Sequence, residues 1–148
     1  MSKWLISAAA FGLVAACSPA DAPTPPASET SPVLSYSDAF VMEPIGGRDM
    51  TMGGVTVSVE GGDVTLTSAS SPSFGTIELH TMAMVDDRMQ MRQVENFEIA
   101  DGEALELKRG GNHLMMFDVG EGVTGGETVD ITLNFEADGE PITLVVEA

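Results

Sequence analysis

The amino-acid sequence predicts an all-β domain, an antiparallel Greek-key sandwich or barrel, and three observations carry that expectation. Apolar and polar residues alternate with a period of two through most of the chain beyond residue 33, the pattern of half-buried strands. Turn-forming pairs, among them Gly61-Gly62, Asp86-Asp87, Asp101-Gly102 and Asp138-Gly139, punctuate it at intervals of roughly eight to twelve residues. No stretch carries apolar residues at helical spacing, so nothing competes with a sheet.

In chain order, strands are expected at 33–41, 54–59, 64–69, 76–81, 88–94, 104–107 and 112–118. The clearest pair comes last. Ile131, Leu133 and Phe135 alternate with Thr132 and Asn134, Asp138-Gly139 reverses the chain, and Ile142, Leu144 and Val146 repeat the pattern. Period and turn chemistry together make this a C-terminal hairpin. Residues 33–148 form one domain of eight or nine short strands, long enough to bury a core.

Two segments precede that domain. Residues 1–16 hold one cation, Lys3, and an apolar run from Trp4 to Ala16, too short for a membrane span and laid out as a cleavable secretory signal. The run ends in Val14-Ala15-Ala16-Cys17, which resembles the lipobox of bacterial lipoproteins, where the cysteine is acylated and becomes the new N-terminus. Cys17 is the single cysteine of the chain, so it is the expected lipidation site and leaves no internal disulfide. Residues 17–32 are then the lipidated cysteine and a linker, SPADAPTPPASETSP, whose five prolines favour an extended spacer. A lipid-anchored protein on the periplasmic face of a bacterial envelope is expected.

Charge narrows the partners. With six Lys and Arg against 23 Asp and Glu the formal net charge is −17. Phosphate neutralisation needs a basic face, so no nucleic-acid partner is expected. Anionic lipid is repelled as well, which leaves membrane attachment to the acyl chains. Asp86 and Asp87 are expected as turn residues, and Arg88 and Arg92 as cross-strand partners of the acidic surface.

Chemistry enters with the soft ligands. Met82, Met84, Met89 and Met91 fall within ten residues, Met115 and Met116 follow, and the two histidines of the chain are His80 and His113. His113 and Met115 lie two apart on one strand and share a face, while Leu114 and Met116 project oppositely, toward the core. His80 and Met91 lie on successive strands of a hairpin closing at Asp86-Asp87. Imidazole and thioether are neutral, soft to borderline donors that suit Cu(I), whereas zinc favours thiolate or carboxylate. Met82, Met84 and Met89 are candidate auxiliary metal residues at the rim. Blue-copper chemistry needs a cysteine thiolate, c-type haem needs C-x-x-C-H, no Ser/His/Asp or paired-carboxylate arrangement is visible, and committing both histidines to metal leaves little from which to build a hydrolase, so no enzyme is expected.

His80, ten residues, Met91, twenty-one residues, His113, one residue and Met115 form a spacing that resembles the metal-binding motif of PCuAC-type periplasmic copper chaperones, the DUF461 family. Ser71-Pro72-Ser73-Phe74, Ile77-Glu78-Leu79-His80 and Gly110-Gly111-Asn112-His113-Leu114-Met115-Met116 resemble the family too. The likeness covers most of residues 70–146, and residues 50–69 depart from it. The resemblance implies a cupredoxin-like β-barrel, Cu(I) held by His80, Met91, His113 and Met115, and delivery of copper to a cytochrome c oxidase subunit or assembly factor. Copper buffering for resistance uses the same site. A non-metal β-sandwich lipoprotein that scaffolds envelope partners is the alternative outside metal chemistry.

Overall fold

The structure, a computed structural model, describes residues 31–121 and 123–148. The signal segment, Cys17 and nearly all of the linker lie outside the described residues. Ten strands follow: β1 (Val33–Val41), β2 (Met50–Glu60), β3 (Val64–Ser70), β4 (Phe74–Val85), β5 (Arg88–Gln93), β6 (Phe97–Ile99), β7 (Ala104–Glu106), β8 (His113–Val119), β9 (Asp130–Ala137) and β10 (Glu140–Glu147). A single 3-10 turn, Ile45–Gly47, is the helical content of the described residues.

Every ladder is antiparallel, and the sheet runs β1-β2-β8-β4-β3-β9-β10, with β5 on β4, β6 on β3 and β7 on β2. β1 and β10, the ends of that path, approach each other and nearly close a barrel. Period-two alternation decides what goes inside. Val55, Val57 and Val59 of β2, Ile131, Leu133 and Phe135 of β9, and Leu114 and Met116 of β8 fill the interior, and Val146 joins them from β10. Each such side chain, fully buried, contributes about 1.5–3 kcal/mol of apolar transfer free energy.

Turn chemistry sets the registers. Asp86 and Asp87 both have positive φ, 49° and 59°, as do Asp138 and Gly139 at 51° and 84°. Two such residues in succession make a type I′ turn, whose twist matches the strands it joins. Val85 therefore pairs with Arg88 and Ala137 with Glu140, which fixes every partner along β4–β5 and β9–β10.

Three differences from the expected strands have physical causes. β4 runs on to Val85 rather than stopping at Thr81, because its outer half pairs with β5. β6 was not expected: three residues are too few for a periodic signal, and pairing of Val64 with Ile99 makes the strand. β2 begins at Met50, not Gly54, because residues 50–53 pair with β8 before the strand changes partner to β7. A Cβ on Gly54 would lie 2.0 Å from the Leu107 carbonyl oxygen, so only glycine lets the β7 end approach this closely.

Candidate metal centre

The centre of the sheet, β5-β4-β8-β2, displays one continuous outward face. Cross-strand partners share a face, and the registers pair His80 with His113, Glu78 with Met115, Met82 with Met91, Met84 with Met89 and Met52 with Met115. Opposite them Leu79 meets Leu114 and Ile77 meets Met116 on the inner side. The alternation that buries Leu114 and Met116 thus obliges His113 and Met115 to stand together on the other surface. Sequence reasoning placed both correctly.

The two imidazoles are more enclosed than ligands at a strand edge would be. His80 is 8% exposed and His113 3%. Their rings are tilted 45° to each other with centroids 5.7 Å apart. His113 Nδ1 lies 2.9 Å from the Gly111 carbonyl oxygen, which can only accept, so Nδ1 carries the proton and the neutral ring has its lone pair on Nε2. That Nε2 faces the Met91 sulfur at 3.1 Å. In this tautomer no hydrogen lies between them, and two lone-pair donors converge on one point. His80 is oriented from its other side: Nε2 donates to Glu78 Oε2 at 2.8 Å, leaving Nδ1 bare, buried and without any partner. An orphaned buried nitrogen is costly unless something binds it, and a carboxylate holding the far edge of an imidazole is the usual support of a metal-ligating histidine.

Thioethers complete the surroundings. A cavity of about 390 Å³ is lined by Met42, Met50, Met52, Met91 and Met115 beside His113, with Ile45, Thr51, Arg48, Arg109 and Glu43 around them. Met82 continues from His80 along β4 opposite Met91, and the half-exposed pair Met84 and Met89 extends the same ladder toward the hairpin tip. Among the described residues no group of three or more His, Cys, Asp or Glu forms a harder metal site. The imidazoles and thioethers gathered on this face are neutral donors of the kind that suit a soft monovalent ion.

All four expected ligand residues, His80, Met91, His113 and Met115, lie on this face, and so do Met82, Met84 and Met89. Sequence reasoning missed Met42, Met50, Met52 and the role of Glu78. A period-two signal existed for some of these, in Met50-x-Met52 and Glu78-x-His80; only the pairing of β2 with β8 tells which face it points to.

The described residues thus form an antiparallel β-domain with paired imidazoles and several thioethers on one sheet face. A family model described as "Putative lipoprotein LpqE-like" matches residues 34–147, and the chain belongs to that family. Its fold is that of PCuAC domains. The copper-bound PCuAC domain from PmoF2 superposes with a TM-score of 0.60 at 15% identity, covering 76% of this chain and 89% of that one. The apo PCuAC domain from PmoF1 gives 0.60 at 16% identity over 76% and 90%. Apo-DR1885 from Deinococcus radiodurans gives 0.54 at 23% identity over 93% and 95%. No curated protein matches the chain significantly. The expected cupredoxin-like, antiparallel barrel is thus the fold observed.

Proposed function

We propose that this protein is a copper carrier of the bacterial envelope, binding one Cu(I) through His80, Met91, His113 and Met115 and passing it to a copper-accepting protein. The observation that carries this reading is the pair of enclosed imidazoles. Each has one nitrogen tied to a protein acceptor and the other bare, one of them orphaned and one aimed at a thioether. Four neutral donors leave the site only the single charge of Cu(I), which a largely apolar face tolerates better than a divalent ion. Half-exposed Met91 gives the site an open side for exchange. One solved relative in fold is itself described as copper-bound.

Delivery toward cytochrome c oxidase, to a subunit or an assembly factor, is the finer part of the proposal and follows the motif resemblance. So does lipid anchoring at Cys17, supported by the lipoprotein description of the family. Anaerobic titration of the purified protein is expected to show one Cu(I) per chain, retained in the presence of excess zinc. A stoichiometry near zero, or copper displaced by zinc, returns the protein to a scaffolding role. Cys17→Ala is expected to abolish labelling by a palmitate analogue; unchanged labelling rejects the anchor.

A further inference from the structure

The cations of this acidic chain are few, and two of them stand at one place. Of its six Lys and Arg, all but Lys3 lie in the described residues: Arg48, Arg88, Arg92, Lys108 and Arg109. None is on any strand except β5, whose Arg88 and Arg92 alternate with Met89 and Met91 and so project from the opposite face. Arg48 enters β2 two residues before Met50, and Lys108-Arg109 form the loop that leads into His113. Arg48 and Arg109 line the methionine cavity, where Glu43 is the one carboxylate. Lys108 pairs with Glu106, whose carboxyl is held below its ordinary range by that hydrogen bond and by the ammonium charge. Among the described residues Arg48, Arg88, Arg92 and Arg109 make no ion pair.

The expectation that Arg88 and Arg92 are cross-strand partners of the acidic surface is corrected, since they stand opposite Val85 and Thr81 and make no ion pair; the basic rim of the cavity is Arg48 and Arg109. Beside that rim lie exposed apolar side chains. Ile45, Met50, Met84, Met89 and Met91 are all exposed, a concentration that marks a contact surface rather than scattered exposure.

We infer that this rim and cavity form a docking surface for an acidic partner protein, one that presents carboxylates around a soft-donor loop able to enter the cavity. The inference rests on the copper reading for its purpose, though not for its electrostatics. A chain of net charge −17 repels an acidic protein at long range. At physiological ionic strength charges are screened beyond about 8 Å, so the local rim decides which face such a partner meets. The guanidiniums of Arg48 and Arg109, without protein partners, supply bidentate donors for carboxylates, and complementary rims of this kind set orientation and encounter rate.

The test uses two synthetic peptides, each with a Met-x-x-Met pair, one flanked by Asp and Glu and the other by Asn and Gln, added to the full-length apo protein at physiological ionic strength. The acidic peptide is expected to bind about tenfold or more tightly than its neutral counterpart, with amide shifts confined to Arg48–Met52, β5 and the Lys108–His113 loop. Arg48→Glu with Arg109→Glu is expected to abolish that preference while the melting temperature and Cu(I) stoichiometry stay unchanged. A lysine-flanked peptide should then bind the double variant better than the wild type. Equal binding of acidic and neutral peptides, or shifts on another face, overturns the docking surface even if copper binds. A protein that discriminates the peptides but takes up no Cu(I) retains the docking surface and loses the copper role.

Discussion

His113→Ala is expected to weaken Cu(I) binding more than any other single ligand change, with Met115→Leu next and milder. Competition with a chromophoric Cu(I) chelator measures both. The order follows from what can substitute. The chain has two histidines, and His80 is already engaged, so nothing replaces the Nε2 that faces Met91 at 3.1 Å. A lost thioether has understudies: Met42, Met50 and Met52 line the same cavity, and Met52 is the direct cross-strand partner of Met115. His113→Ala should therefore exceed the roughly 10- to 100-fold loss typical of outer-shell changes, and Met115→Leu should fall within or below it. His113 is buried and bonded to Gly111, so its removal also lowers stability, by about 1–3 kcal/mol. Leucine at 115 keeps the volume of methionine and leaves the melting temperature nearly unchanged. Equal losses from the two variants would mean that the additional methionines stand too far away to serve.

Met116→Ala is expected to do the reverse. Met116 is fully buried, pairs with Ile77 and Thr51, and its terminal methyl sits where a Cβ on Gly53 would lie, 2.7 Å away. Truncation leaves a void where β2 and β8 meet, at a cost of about 2–5 kcal/mol. For a domain of this size that corresponds to a fall in melting temperature of roughly 8 °C or more. Cu(I) stoichiometry should stay at one, because the side chain points away from the site. Thermal denaturation and copper titration of the same sample decide it. Loss of copper with little loss of stability would require β8 to be shifted by one residue, exchanging the faces of Met115 and Met116.

The contrast between these neighbours shows what is legible without a structure. That His113 and Met115 stand on one side and Leu114 and Met116 on the other follows from period two alone, a local property of any strand. The β4–β5 and β9–β10 hairpins are local as well, since two residues of positive φ fix the register of each. β6 escaped because its three residues hold no period of their own, and the start of β2 because residues 50–53 are made a strand by pairing with the distant β8.

By itself, then, the sequence determined the strand content, the inward and outward faces and which imidazoles and thioethers share a face, all through short-range pattern. The tertiary structure decided the rest. Pairing of β2 with β8 brings Met50 and Met52, distant in the chain, to the side of Met115. Folding of the loops before β2 and β8 gathers Arg48 and Arg109 at one cavity mouth. Which nitrogen of each histidine stays bare depends on acceptors, Glu78 and the Gly111 carbonyl, whose positions only the folded backbone sets. Periodicity assigns a residue to a face, but neighbours on that face come from register between strands far apart in sequence, and no local signal encodes that register.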